Sequence, residues 1–263
     1  MKLYMLFVIC LVLCLITESL DAKKNKEKKM KKKMRKKNKM SKTKATAKGD
    51  MPRLRLQYLV DRLPSKDIIP ILNETAAVEV KFGISLQNVL ELDSSLIKAV
   101  IWLTFSWKNE FLQWDPRDYG GINIIRVPEN KIWTPDVELF NSVRKADMIY
   151  DVLTVVSSDG SVTWIPSMAI TASCKRLKKT ANGRCKINCP LKFGSWTYDG
   201  NRLNLTSNSD TVDVSSYVEN EDWELVENTQ KRHSLSYECC PEPYVDVTGN
   251  LTFVEKDDRS DED

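Results

Sequence analysis

The strongest constraint on the fold is an alternation of apolar and polar residues. Apolar side chains occupy every second position from Val78 to Leu86, and most of the positions between them are polar or charged. Because successive side chains of a β-strand point to opposite faces, this pattern predicts a strand with one buried face. Ala99–Trp107 has the same alternation and a β-rich composition, so a second strand is predicted there, with Trp102 on its more polar face.

The rest of the chain contains more strand patterns and few helical ones. A helix is predicted only between Pro52 and Pro64, where leucines recur at near-helical spacing. Short strands without intervening helices are typical of an all-β fold. We therefore predict an antiparallel β-sandwich with a short N-terminal helix, as one domain over residues 49–255. Further strands are predicted at Ile149–Val156, Ser161–Ile165, Cys189–Tyr198, Trp223–Glu227, Ser234–Tyr237 and Tyr244–Val254.

The N-terminal residues differ from this body. Residues 1–22 combine Lys2, an apolar stretch too short to span a bilayer, and small residues near Ala22, which predicts a secretory signal peptide rather than a signal anchor. Residues 23–48 hold fourteen lysines and a single acid, so they are predicted to be disordered. We interpret them as a flexible leader, with a polyanion-binding arm as the alternative. The mature protein is therefore expected to be secreted and extracellular.

Charge is segregated along the chain. The net charge of +4 comes from residues 23–48, whereas the body has an excess of acidic residues and residues 256–263 form an acidic tail. An acidic body suits a cationic ligand, and nucleic acid is not an expected partner of an exported chain.

No later segment has the length of a transmembrane helix, so no membrane span is expected in the mature chain. Three sequons are candidate glycosylation sites, at Asn73, Asn204 and Asn250.

Five cysteines follow the predicted signal peptide: Cys174, Cys185, Cys189, Cys239 and Cys240. An odd number leaves at least one thiol free or intermolecular. A Cys174–Cys189 disulfide would close a loop of fourteen residues, worth about 3 kcal/mol, and Cys174–Cys185 is the alternative. Zinc would need thiolates in an oxidising compartment, with His233 as the only histidine, so no metal site is predicted.

The adjacent pair Cys239 and Cys240 indicates a special local shape, because a ring between neighbours constrains only its own peptide. Tyr237 and Tyr244 lie on either side of the pair in a Pro-rich hairpin. These residues alone leave two interpretations open: a flap that closes aromatic rings over a ligand, or reduced thiols beside ordinary strand tyrosines.

Motifs for catalysis are scarce. His233 is the only histidine, and no serine or cysteine nucleophile motif accompanies it. The sequence has neither a glycine-rich phosphate loop nor a HExxH helix. Paired carboxylates remain a candidate catalytic motif in an acidic β-protein, although acidic side chains usually lie on a solvated surface. We predict a protein that is not an enzyme and has no cofactor.

Four blocks of sequence resemble the extracellular ligand-binding domain of the nicotinic, Cys-loop receptors. They are Trp102–Trp107, Ile132–Ser142, Cys189–Tyr198 and Ser236–Glu242, and they occur in the order found in that family. Since no channel segments follow, the resemblance extends to its soluble members, the acetylcholine-binding proteins. Those members are pentamers that bind ligand between subunits.

The resemblance implies a two-faced ligand site and a set of accompanying features. Its principal face would comprise Phe140, Trp196, Tyr237, Cys239, Cys240 and Tyr244, and its complementary face Trp102, Val162, Thr163 and Ile165. It also implies a charged latch of Lys192, Tyr237 and Asp246, and the disulfides Cys174–Cys189 and Cys239–Cys240. Aromatic rings suit a quaternary ammonium ion, which donates no hydrogen bond. Three other tryptophans are interpreted as core residues, namely Trp107, Trp114 and Trp133.

The sequence departs from the family pattern at three places. Phe140 replaces the usual tyrosine, which keeps the ring but removes a hydroxyl. The loop after Cys174 is basic where the receptors have an apolar segment, and Cys185 is an extra cysteine.

The expectation is a secreted homopentamer that binds acetylcholine or a related cation. The alternatives are a truncated receptor subunit that assembles with channel-forming partners, and a pentameric scaffold with a degenerate site.

Overall fold

The computed structural model describes residues 52–73 and 75–257, with side chains from Arg55 onward. The predicted signal peptide (1–22), the Lys-rich segment (23–48) and residues 258–263 of the predicted acidic tail lie outside the described residues. From Leu56 onward the chain is one compact unit. This unit contains every strand described below.

The described residues form one α-helix, α1 (Pro52–Val60), and thirteen strands. None of their helices is long and apolar enough to cross a membrane. The strands are β1 (Val78–Leu92), β2 (Leu96–Lys108), β3 (Ile124–Pro128), β4 (Val137–Leu139), β5 (Asp147–Met148), β6 (Leu153–Ser157), β7 (Ser161–Trp164), β8 (Ser167–Ser173), β9 (Lys175–Arg176), β10 (Lys186–Ser195), β11 (Leu203–Ser207), β12 (Trp223–Tyr237) and β13 (Cys240–Glu255).

The strands form two sheets, which confirms the predicted β-sandwich. One sheet has eight strands in the order β11–β1–β2–β7–β6–β3, with β8 paired to β2 and β5. The other has five strands in the order β12–β13–β10–β4, with β9 paired to β10. The named strands pair antiparallel except β11, which runs parallel to β1. No hairpin fixes the direction of β11, because the chain crosses to it from β10 in the other sheet.

The core lies between the sheets and follows the alternation in the sequence. Alternate residues of β1 and β2 are buried, as predicted. Phe82 of β1 packs against Phe105 of β2 and Phe193 of β10, with ring centroids 5.1 and 5.3 Å away, so its ring joins the two sheets. The core assignment of three tryptophans is confirmed, since all are buried: Trp107, Trp114 and Trp133.

Strand β12 is longer than predicted, because the two segments predicted at 223–227 and 234–237 are one strand. The polar residues between them are stabilised by hydrogen bonds rather than by apolar packing. Gln230 is buried, accepts from the backbone N–H of Ile84 at 3.0 Å and donates to the Ser207 hydroxyl at 2.7 Å. Arg232 donates to the carbonyl of Leu205 at 2.8 Å. These bonds tie β12 to the other sheet.

Candidate functional site

A cleft of about 290 Å³ opens between the end of β10, the residue after β4 and the β12–β13 hairpin. The lining includes the four aromatic residues assigned to the principal face: Phe140, Trp196, Tyr237 and Tyr244. Sequence reasoning missed Tyr198 and Leu235, which also line the cleft. Tyr198 is the last residue of the block Cys189–Tyr198, and its place in a block that carries the family resemblance could have identified it as a site residue. The fold therefore brings distant segments together into one aromatic surface.

The aromatic rings form two pairs. Phe140 and Trp196 meet edge to face, with centroids 6.2 Å apart, and Tyr237 and Tyr244 do the same at 5.5 Å. Trp196 is 76 % exposed, which is unusual for so large an apolar side chain. A cation placed over such rings is attracted by their quadrupoles. The cleft therefore offers π-faces to a cationic group.

The turn that presents Trp196 is fixed by Asp136. One carboxylate oxygen of Asp136 accepts from the Ser195 hydroxyl at 2.6 Å, and the other accepts from the backbone N–H of Thr197 at 2.8 Å. The N–H of Trp196 donates to the carbonyl of Asp136 at 3.2 Å. Asp136 and Ser195 were not predicted as functional residues, although both lie inside blocks that carry the family resemblance. Asp136 and Ser195 therefore position the indole, and Ser195 also lines the cleft.

Phe140 is held against β10 by its neighbours. Its backbone N–H donates to the carbonyl of Lys192 at 2.8 Å, and the amide of Asn141 donates to the carbonyl of Pro190 at 2.8 Å. Gly194 lies directly beneath the ring, since a Cβ atom there would come within 2.7 Å of Phe140 ring carbons. Glycine is therefore required at position 194 for the ring to pack this closely.

The β12–β13 hairpin carries the remaining principal-face residues; its end, Tyr237–Tyr244, is called loop C below. The register runs from Trp223 opposite Glu255 to Tyr237 opposite Cys240. Cys239 and Cys240 are joined by a disulfide at the tip and do not line the cleft. Loop C is anchored by the N–H of Gly200, which donates to the carbonyl of Pro243 at 2.6 Å.

A buried carboxylate lies at the back of the cleft. Asp246 is 3 % exposed and accepts from Lys192 Nζ at 3.2 Å, from the Thr248 hydroxyl at 2.8 Å and from His233 Nδ1 at 2.8 Å. Two members of the predicted latch, Lys192 and Asp246, are therefore in contact. Tyr237 lines the same cleft, but among the described residues it makes no hydrogen bond to either of them. His233 and Thr248 were missed. Strand register places His233 opposite Asp246, whereas Thr248 is two residues along the same strand and so shares its face.

The complementary-face residues lie on the other sheet and do not line the cleft. Trp102 is 44 % exposed and Ile165 is 45 % exposed, whereas Thr163 is half-buried and lies beside Ser106 of β2. Val162 is 1 % exposed and belongs to the core, so its predicted place on this face is corrected. The reason is the period of two, which turns Val162 inward when Thr163 faces outward. Within one chain the two predicted halves are separate surfaces.

Comparison with known proteins identifies the family. Residues 55–256 match the model of the neurotransmitter-gated ion-channel ligand binding domain. The chain belongs to this family. Among its relatives, the acetylcholine receptor subunit alpha-type acr-16 of Caenorhabditis elegans is 38 % identical over 181 residues, covering 68 % of this chain and 36 % of the relative. The resemblance seen in the sequence blocks is thereby confirmed.

Vertebrate receptor subunits are similar to a comparable extent. The neuronal acetylcholine receptor subunit alpha-5 of Homo sapiens is 34 % identical over 178 residues, which covers 67 % of this chain and 38 % of the relative. Subunit alpha-6 of Mus musculus is 34 % identical over 184 residues, covering 69 % of this chain and 37 % of the relative. The chain thus spans little more than a third of the length of these relatives.

The structure also shows the surroundings of the cysteines and of the three sequons in this ligand-binding domain. Cys174 and Cys189 form a disulfide that joins the end of β8 to β10, and Cys185 is a free thiol. The Asn204 amide donates to the Glu79 carboxylate at 2.9 Å and accepts from Arg232 at 2.8 Å. Asn73 is exposed in a loop, and Asn250 is half-buried within β13. The three sequons therefore differ in how freely their amides meet solvent.

Proposed function

We propose that this chain binds acetylcholine or a closely related cation in the cleft lined by Phe140, Trp196, Tyr237 and Tyr244, and that it catalyses no reaction. The proposal rests on one observation, the convergence of two aromatic pairs on a single open cleft with Trp196 largely exposed. Each good ring contributes about 0.5 to 2 kcal/mol to holding a quaternary ammonium ion. The names of the similar receptor subunits agree with this ligand class.

The second half of the site is proposed to come from a neighbouring copy of the chain. Trp102, Thr163 and Ile165 lie on the outer face of the eight-stranded sheet, away from the cleft. A ring of identical subunits places two different faces of one chain against each other at every interface. We infer a secreted homopentamer in which each cleft is completed by the Trp102 face of the next subunit.

Ligand binding is proposed to close loop C over the cation. Tyr237 and Tyr244 lie on its two limbs, so movement of the hairpin carries both rings towards a ligand beside Trp196. The Lys192–Asp246 ion pair lines the same cleft as Tyr237 and is proposed to rearrange as Tyr237 approaches. Closure would exclude water and strengthen the cation–π contacts.

Calorimetric titration with acetylcholine tests the proposal. Trp196→Ala is expected to weaken binding about ten-fold or more, because one ring accounts for up to about 2 kcal/mol. Trp196→Phe should retain part of the affinity, since it keeps a smaller π-face. Tyr58→Ala is the matched control, because Tyr58 is also an exposed aromatic residue but lies on α1, outside the cleft. Equal affinities of Trp196→Ala and Tyr58→Ala would remove Trp196 from the site.

A second candidate function is that of a subunit assembling with channel-forming partners. It is favoured by the relatives, which are receptor subunits of about three times the matched length. Light scattering on the protein expressed alone separates the two functions. A stable pentamer of this chain supports the homomeric protein, and assembly only when a full-length receptor subunit is co-expressed supports the second function.

A further inference from the structure

His233 belongs to neither predicted face of the ligand site, yet its side chain contacts a residue of the cleft. Its Nδ1 atom lies 2.8 Å from the buried carboxylate of Asp246, which itself lines the cleft. The two residues are directly opposite each other in the register of β12 and β13. An ionisable imidazole is therefore in hydrogen-bond contact with a residue that lines the cleft.

The direction of this hydrogen bond follows from the acceptor. An ionised carboxylate has no hydrogen to donate, so Nδ1 must carry the proton whether the imidazole is neutral or charged. The second proton can then be added only at Nε2. The His233 side chain is 45 % exposed, so water can supply that proton. Protonation thus changes the charge beside Asp246 while the contact itself is kept.

The charged groups on this face of the five-stranded sheet follow from the register, because directly opposed residues share a face. Glu138 of β4 is opposite Gly194, and Gly194 is opposite Asp246, in the same row as His233. Lys192 and Lys231 lie in the next row, on either side of Thr248. The titratable groups towards the tip are Tyr244, Glu242 and Tyr237.

A proton on His233 therefore acts on the electrostatics of the cleft in one direction. Asp246 already faces one cation, Lys192, and protonation adds a second at a comparable distance. The added positive charge repels a ligand cation and so cancels part of the attraction that the Asp246 carboxylate exerts on it. This repulsion is not offset by loss of a hydrogen bond, since the Nδ1 contact is present in both states.

We propose that His233 is a positioning residue for the cation site, holding Asp246 through Nδ1 and lowering the affinity for a cation when Nε2 is protonated. This inference rests on the proposed function, because it concerns the affinity of the same cleft. It predicts that binding weakens as the pH falls from 8 to 6. Acetylcholine is a suitable probe, since its quaternary ammonium group does not titrate.

Calorimetry with acetylcholine at pH 8 and pH 6 tests the affinity. The wild-type chain should bind about two- to five-fold more weakly at pH 6. This is the size of effect expected for one added charge that is screened by water and salt. In His233→Asn, whose amide can donate to Asp246 but cannot titrate, the ratio of the two affinities should fall to about one. A wild-type ratio retained in His233→Asn overturns the proposal.

A ligand-free measurement separates this inference from the proposed function. His233 is the only histidine of the chain, so the spectrum of protein labelled with ¹⁵N-histidine reports this residue alone. The neutral form should be protonated at Nδ1, and Asp246→Asn should change that signal. Protonation at Nε2 in the neutral form overturns the positioning role. Absence of acetylcholine binding at both pH values overturns the proposed function and, with it, the effect on affinity.

Discussion

At the scale of single residues, strand register decides which side chains can meet a ligand. Val162 and Thr163 are neighbours in sequence, yet the first is in the core and the second faces outward beside Ser106. Ile165 follows Trp164 at the end of β7 and is exposed. A family resemblance can assign such a strand to a binding face, but the pleat of the strand determines which of its side chains point outward.

Val162 and Ile165 are predicted to respond oppositely to substitution. Val162→Ala should lower the free energy of unfolding by about 1 to 3 kcal/mol, because it leaves a cavity in the core. Ile165→Ala should change that free energy little and weaken acetylcholine binding several-fold, by about 1 kcal/mol of lost apolar contact across the interface. Urea unfolding and calorimetry measure the two effects. A fall in affinity without loss of stability in Val162→Ala would return Val162 to the binding surface.

At the scale of elements, the two disulfides differ in what they constrain. Cys174–Cys189 links residues 15 apart and joins β8 to β10, whereas Cys239–Cys240 links neighbours at the tip of loop C. A crosslink stabilises the fold mainly by reducing the entropy of the unfolded chain, and this effect grows with the length of the closed loop. The first disulfide is therefore structural, and the second acts on the local shape of loop C.

Replacing each cysteine pair by serine separates these roles. Removing Cys174 and Cys189 should lower the free energy of unfolding by about 3 kcal/mol, as expected for a loop of this length. Removing Cys239 and Cys240 should lower it by less than about 1 kcal/mol, because almost no loop entropy is involved. The second variant should nevertheless bind acetylcholine more weakly. Similar losses of stability in both variants would contradict this assignment.

At the scale of the whole molecule, the proposed site needs two faces of the chain that never meet within it. The cleft lies on the five-stranded sheet and loop C, and Trp102 lies on the eight-stranded sheet. Both faces expose aromatic side chains to solvent in the single chain. Closed cyclic assembly covers both at once and repeats the same contact at each interface.

Mixing two defective variants tests this arrangement. Trp196→Ala lacks the principal face and Trp102→Ala the complementary face, so each homomer should bind acetylcholine weakly. Co-expressed chains should regain binding at roughly a quarter of the interfaces, where an intact cleft meets an intact Trp102 face. Light scattering should show about five chains per particle. A monomer that binds with wild-type affinity, or mixed assemblies that recover nothing, would contradict a site shared between copies.

The sequence by itself determined the β-sandwich, the core tryptophans and the family. Alternating apolar residues are a local property of strands, and the blocks around Trp133 and Trp196 are contiguous, so both signals can be read along the chain. Four of the five aromatic residues that line the cleft were also predicted from the resemblance: Phe140, Trp196 and Tyr237 lie within its blocks, and Tyr244 follows the last of them.

Tertiary structure alone decided the parallel pairing of β11, the inward side chain of Val162 and the contact of His233 with Asp246. His233, Lys192 and Asp246 come from three strands, and only the register of those strands brings their charges together. Buried polar groups such as Gln230 and Asp246 depend on hydrogen-bond partners distant in sequence. Such partnerships have no local signature, because the free energy that retains a buried polar residue arises only after the sheets have packed.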